Sequence, residues 1–331
     1  MMWTTLWEPF RRVFAVIESV VAFFVILIYP GQKAFVGDYA AMLNKSGVFV
    51  NQAQEAYPQT VMHDVVMHHF AKSRTNGKTP KCLIIGFDGA RADALFNSVG
   101  QAKSGVQEAL KSGAAYQLYT GGKFPYLQQT VTACGWTTLL TGHWAKEPKG
   151  GGHRVTANYI TKAANAPQLL FTELLDQKKA EKTAFIVSWD GHFASEKAAY
   201  LNDIADNQSK GNNALWLTMP GDAGAFTRTL QEVSDPGGAD VVMCILESCD
   251  SEGHATGFGN QNPKYVQAFL NADANAYDLI QAVNARPAID QEDWLILFTS
   301  DHGGMSTGHG QWFATERLIY LVSNQAILPF K

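Results

Sequence analysis

Residues 82–89, CLIIGFDG, decide the fold. Six nearly continuous apolar residues are too few for a buried helix, and a turn dipeptide ends them, so they read as a strand buried on both faces. Four further runs carry the same signature, at 183–188, 240–247, 294–300 and 317–323. Helical stretches at 168–179, 226–233 and 264–283 fall between them, the first with Pro167 just ahead of it, and residues 90–95 read as a helix after the first strand. Alternating β and α elements with wholly apolar strands predict an α/β fold, with a mainly parallel central sheet and helices on both faces. Residues 32–80 read as a helical lead-in and 81–331 as the main domain, with no internal repeat and with a surface loop at 146–154.

Three of these strands run into an aspartate. Asp88 directly follows the first, Asp250 lies just beyond the third, and Asp301 follows the fourth. In an open α/β sheet, ligands bind outside the carboxyl ends of the strands, so the three would converge on one crevice. A single aspartate after a strand is ordinarily a cap or turn residue. The histidines change that reading. His254 follows Asp250 by four residues, which puts both on one side of a helical turn. His302 adjoins Asp301, and His309 follows seven residues later in a glycine-rich loop. Carboxylates mixed with imidazoles suit zinc, manganese or iron, whereas calcium or magnesium would be met by oxygen alone. Six such ligands would serve two ions, each keeping an open position for substrate. His63, His68 and His69 do not share a helical face, and residues 62–70 read as a partly exposed helix.

The stretch TVTACGWTTLLTG at 130–142 is crowded with hydroxyls and opens toward a helical run. A threonine hydroxyl is a poor nucleophile at neutral pH; a metal ion stabilises its alkoxide, as it lowers the pKa of bound water from 15.7 to about 7. At a helix start, backbone N–H groups also help to hold a phosphate. Taken alone, the segment reads as a capped helix rather than a catalytic loop.

In order along the chain, FDGARAD at 87–93, TACGWTTLLTG at 132–142, DSEGHATG at 250–257, and SDHGG through GHG at 300–310 resemble the motif series of the alkaline phosphatase superfamily, particularly its type I phosphodiesterase/nucleotide pyrophosphatase branch. The resemblance covers residues 81–310 and implies a three-layer sandwich. It also implies a metal-dependent phosphoester hydrolase with two divalent ions, zinc before manganese. Asp250, His254 and His309 would hold one ion; Asp88, Asp301 and His302 would hold the other. Thr132 would bridge toward the second ion as nucleophile, passing through a phospho-threonine. Counting back from Gly142 selects Thr132 over Thr130.

Arg91 and Asp93 are read as fixing the turn, His153 as structural and His143 as a surface residue; Trp189, Asp190 and His192 are weaker candidates to line the crevice. The setting of Cys134 does not match the sulfatase motif, so sulfatase activity is not expected. No long insertion suggests a cap domain, which disfavours a phosphomutase, and the chain ends soon after His309. A phosphomonoesterase, a phosphotransferase, or a silent metal-binding module attached to a membrane are the alternatives.

Hydrophobic residues make up 46% of the 331 and charged residues 17%, the latter below the roughly 25% of an average soluble domain. The net charge of −4 gives no global basic field for nucleic acid, so the expected partner is a small phosphoester. The four cysteines show no metal-finger spacing. Residues 1–31 form an apolar N-terminal segment in which Arg11 and Arg12 precede the run 13–29, interrupted by Glu18. Its length is at the lower limit for a spanning helix, and an interfacial or a buried helix are the competing readings. The favoured expectation is a membrane anchor with the arginines on the cytoplasmic side and the catalytic domain outside.

Overall fold

The computed structural model describes residues 30–72, 77–193 and 197–329. The apolar run 13–29 and its arginines lie outside the described residues. Among the described residues, no helix is long and apolar enough to cross a membrane.

Eight strands form one sheet in the order β1-β3-β10-β9-β2-β8-β6-β7. They are β1 (Tyr57–Pro58), β2 (Thr79–Phe87), β3 (Ala114–Tyr119), β6 (Thr183–Val187), β7 (Ala214–Thr218), β8 (Val241–Leu246), β9 (Glu292–Thr299) and β10 (Leu318–Ser323). The short strands β4 (Gly122–Lys123) and β5 (Tyr126–Leu127) pair with each other in a separate hairpin. Only β10 runs against its neighbours in the large sheet, antiparallel to both β3 and β9. The other pairings are parallel. The sheet is therefore mainly parallel, as the apolar runs indicate.

The reason lies in the two-residue period of the strands. In β8, Val242, Cys244 and Leu246 face one layer, while Val241, Met243 and Ile245 face the other. In β2, Leu83, Ile85 and Phe87 oppose Cys82 and Ile84 in the same way. The first layer is covered by the helices Gly221–Ser234 and Pro263–Asn284, with Tyr39 and Leu43 from the helix Pro30–Lys45. The second layer is covered by Val61–Lys72, Thr132–Thr141 and Leu170–Asp176. Each fully buried aliphatic or aromatic side chain contributes about 1.5–3 kcal/mol. The central strands are thus pinned from both sides and present their carboxyl ends on a rigid base.

Several expectations are corrected. Residues 90–95 are not an α-helix: Ala90 and Arg91 stay irregular, and a 3-10 turn spans Ala92–Ser98. Strand β3 escapes detection because Gln117 interrupts its apolar run. That side chain is wholly buried, with its amide donating to Asn44 and to the Asn51 carbonyl. Strand β7 lies at the sheet edge and is half-buried, so it lacks the apolar signature. All four cysteines are buried and free.

Candidate active site

The strands β9, β2, β8 and β6 are consecutive in the sheet, and their carboxyl ends bring the candidate residues together. Asp88 leaves β2 and is wholly buried; its backbone N–H bonds Leu246 O at the end of β8, 3.0 Å away. Gly89 turns the chain at φ +67°, and a Cβ there would meet Asp250 Oδ1 at 2.7 Å. The left-handed turn and the close approach both require glycine. Its N–H donates to Asp301 Oδ1 at 3.3 Å, tying the β2 and β9 ends together. Asp250 and His254 lie on the helix Ser248–Thr256, with His254 Nε2 at 3.3 Å from Asp250 Oδ2.

Two of the groups formed here are those expected: Asp250, His254 and His309, and Asp88, Asp301 and His302. The ligand atoms of each group lie within 4.8 Å of one another, a set able to hold a metal ion. His309 Nε2 is 3.5 Å from Asp250 Oδ1. His302 Nε2 is 3.3 Å from Asp301 Oδ2 and 3.6 Å from Asp88 Oδ1. The His302 and His309 rings stack with centroids 3.9 Å apart, so the two groups adjoin.

Thr132 begins the helix Thr132–Thr141, and its hydroxyl is 3.5 Å from His302 Nε2. Gly135, one turn on, lets this helix press against the β9 end; a Cβ there would come within 2.6 Å of Asp301 O. Thr130 is differently employed. Its hydroxyl lies 2.8 Å from Gln311 O and from Glu316 Oε2 and accepts from Gly310 N, while its carbonyl lies 2.8 Å from His309 Nδ1.

The imidazoles share one device. Nδ1 of His254 faces Thr307 O at 2.9 Å, Nδ1 of His302 faces Gly303 O at 2.9 Å, and Nδ1 of His309 faces Thr130 O. A carbonyl accepts only, so each Nδ1 carries hydrogen and each neutral ring turns its Nε2 lone pair into the cluster. His254 and His309 place their Nε2 atoms 3.0 Å apart. Two lone pairs at that distance repel unless a proton or a cation lies between them.

The carboxylates face the same difficulty. Burial, and then the neighbouring carboxylates, push Asp88 and Asp301 well above the usual range. Burial also pushes Asp250 up, but contact with His254, His302 and His309 holds it below its ordinary value. The hydrogen bond to Asp250 lifts His254 to about 9, whereas burial lowers His302 to about 3 and lowers His309. Asp88 Oδ1, Asp250 Oδ1 and Asp301 Oδ2 are buried without a hydrogen-bond partner. Buried carboxylate oxygens without partners are costly, so the donors present fit divalent cations.

The sequence did not single out Trp136, whose Nε1–H donates to Asp88 Oδ2 at 2.8 Å. Its position four residues after Thr132, on the same helical face, is a usable signal. Glu316 was also missed; it accepts from Thr130 and from Gln311 N, and thereby braces the carbonyl that faces His309. Asn158 accepts from Ala133 N beside Thr132. Arg91 and Asp93 form a two-pronged ion pair under Tyr39 that fixes the turn after β2. Buried His153 bridges Thr138 and Val155 N. His143 pairs with Glu147 at the surface, and His63 faces Glu173.

A family model described as type I phosphodiesterase / nucleotide pyrophosphatase matches residues 82–330. No curated protein matches the sequence. Among solved structures, the chain is similar to murine ectonucleotide pyrophosphatase / phosphodiesterase 5, inactive and in complex with AMP. The identity is 15% and the TM-score 0.47, covering 68% of this chain and 57% of that one. A 2-O GAG sulfatase matches at 11% identity and TM-score 0.45, covering 75% of this chain and 64% of that one. The C-terminal periplasmic domain of EcEptC from Escherichia coli, in complex with zinc, matches at 13% and 0.44, covering 75% and 74%. The chain spans a little over half the length of the first of these, 57%. With its mainly parallel α/β sheet, and with residues 82–330 of 331 matched, the chain belongs to the type I phosphodiesterase / nucleotide pyrophosphatase family.

Proposed function

We propose that the chain is a phosphoester hydrolase of the phosphodiesterase type. Thr132 is its nucleophile, at a centre of two divalent ions, zinc before manganese. The observation that carries this reading is the convergence of three partnerless carboxylate oxygens and three imidazole Nε2 atoms beside the Thr132 hydroxyl. Asp250, His254 and His309 would hold one ion, and Asp88, Asp301 and His302 the other. When bound, the ions supply positive charge that stabilises the attacking and leaving oxygens of an in-line displacement.

The remaining work falls to the chain. Thr132, at the first position of its helix, presents Oγ1 to phosphorus; the Oγ1–P bond forms as the bond to the leaving alcohol breaks. The positive N-terminal end of this helix favours the phosphoryl charge. Asn158, anchored through its carbonyl oxygen to Ala133 N, sits beside the nucleophile. Water then attacks phosphorus, releasing a phosphomonoester and restoring the Thr132 hydroxyl. Trp136 and Gly89 hold Asp88 and Asp301 in place throughout.

Acid quenching during turnover of a phosphodiester, followed by peptide mass spectrometry, tests this directly. Phosphate on Thr132 supports the reading, and phosphate on another residue moves the nucleophile there. The same reading keeps residues 13–29 as a membrane anchor with the domain on the extracytoplasmic side. Recovery of the full chain in the soluble fraction without detergent would remove that part.

A further inference from the structure

The rim of the candidate active site is apolar. Among the described residues, eight large apolar side chains are exposed, and Phe124, Tyr126, Tyr159, Met305 and Trp312 account for five of them. Phe124 and Tyr126 sit on the β4–β5 hairpin, between the carboxyl end of β3 and Thr132. Met305 and Trp312 flank His309 in sequence, and Tyr159 follows Asn158, which bonds Ala133 N beside Thr132. We propose that this rim docks on a lipid bilayer with anionic headgroups, so that the site opens onto the headgroup layer. The docking rests on the reading of residues 13–29 as a membrane anchor and is independent of the chemistry at Thr132.

The rim is held in shape from below. Arg317 donates to Gly122 O at 2.6 Å and to Thr120 O at 3.1 Å, which fixes the base of the hairpin. Trp312 Nε1–H donates to Gln128 O at 3.2 Å, and Tyr159 meets the Trp189 ring edge-on at 5.5 Å. Phe124, at the tip, is nonetheless 89% exposed. A patch of apolar side chains fixed in place and turned to solvent marks an interaction surface. Phenylalanine suits the acyl boundary of a bilayer, and tyrosine and tryptophan suit the headgroup level.

Cations accompany the patch. Exposed Lys123 adjoins Phe124, with its Nζ 4.9 Å from the centre of the Tyr119 ring. Trp144 stacks on the same ring at 5.7 Å and leads into the loop that carries exposed Lys146, Lys149 and Arg154. The one carboxylate of that loop, Glu147, pairs with His143. Basic side chains beside an apolar tip suit anionic headgroups.

The path of the chain selects the occupant. The helix Pro30–Lys45 runs down from the carboxyl edge of the sheet. Tyr39 bonds Asp93 just beyond β2, whereas Phe49, after the helix, bridges Ala115 at the start of β3. At 1.5 Å per residue, the helix start lies about 13 Å from Tyr39, on the carboxyl side. The apolar run 13–29 joins Pro30 with no linker between them. An anchor attached there holds the bilayer against the edge that carries the rim. A protein partner or a second copy of the chain gains nothing from that junction.

The test places single cysteines in the full chain at the tip, Phe124→Cys and Tyr126→Cys, and at the far edge, Val50→Cys. Val50 is 64% exposed and its N–H bonds Ala115 O at the start of β3. The four native cysteines are buried, and the wild type serves as the labelling blank. Each variant carries an environment-sensitive fluorophore, is reconstituted with phosphatidylcholine and phosphatidylglycerol vesicles and is isolated by flotation. Lipid spin-labelled just below the headgroup is the quencher. Quenching at the tip and none at position 50 is expected. Flotation without quenching at the tip would overturn the docking and leave the anchor standing. Equal quenching at all three positions would show contact that the rim does not direct, and would also overturn it. A chain that fails to float would remove the anchor and the docking together, with the reading of the catalytic site untouched.

Discussion

The indole N–H of Trp136 lies 2.8 Å from Oδ2 of Asp88, with both side chains wholly buried. Gly86 makes this contact feasible, because a Cβ there would strike the Trp136 ring. The bond fixes one carboxylate oxygen and leaves Oδ1 directed at the candidate metal group. Trp136→Phe keeps most of the ring volume but removes the donor. Zinc affinity is expected to fall about 10–100-fold, the usual effect of losing a group that orients a ligand. Stability of the metal-free form is expected to fall by about 1–3 kcal/mol. Competitive chelator titration and denaturant melts measure the two effects separately.

Zinc uptake is expected to release protons. In the metal-free chain the hydrogen bond to Asp250 lifts His254 from its ordinary 6.5 to about 9, so the ring is protonated at neutral pH. A metal ligand must be deprotonated, and the ion displaces that proton. Because the folded value is raised, the proton is held at every pH below about 9. His254 therefore makes apparent zinc affinity climb about tenfold per pH unit up to about 9 and level off above it. Calorimetry in two buffers of different ionisation enthalpy counts the protons. Uptake independent of buffer at pH 7.5 would contradict the placement of His254.

Glu316 carries a stability signature of its own. Burial raises its carboxyl from 4.5 to about 7, against opposing hydrogen bonds from Thr130, Gln311 N and Gly310 N. A raised folded value means that the folded chain binds more protons than the unfolded chain between about 4.5 and 7. The stability it contributes is fully present below about 4.5 and is lost as pH rises through about 7. Glu316→Gln cannot titrate, so the difference in melting free energy between wild type and variant should change by on the order of 1–2 kcal/mol across this window. A constant difference would show that Glu316 has the same pKa folded and unfolded.

Much of the fold was legible because the strands are buried on both faces: CLIIGF at 82–87 and WLILFTS at 294–300 have no other plausible place. The α/β class and the mainly parallel sheet followed from them. Strand β3 was hidden by Gln117, whose burial depends on Asn44 and Asn51 far away in sequence. The convergence of Asp88, Asp250, Asp301, His254, His302 and His309 could be anticipated because the aspartates follow strand ends and the histidines come soon after them in sequence. What stayed illegible was the set of residues that hold these side chains. Trp136 and Glu316 act through contacts made only once the strand ends and the helix Thr132–Thr141 are packed, and no local pattern encodes such contacts.

Turnover of bis(p-nitrophenyl) phosphate by the purified chain, with zinc or with chelator and beside Thr132→Ala, tests the central claim most directly. The expected result is zinc-dependent hydrolysis that chelator abolishes and that falls on the order of 10⁴-fold or more in Thr132→Ala, with its zinc content retained. Faster release from the diester than from p-nitrophenyl phosphate would favour the phosphodiesterase assignment over a monoesterase. Undiminished hydrolysis in Thr132→Ala, or in the presence of chelator, would contradict the account.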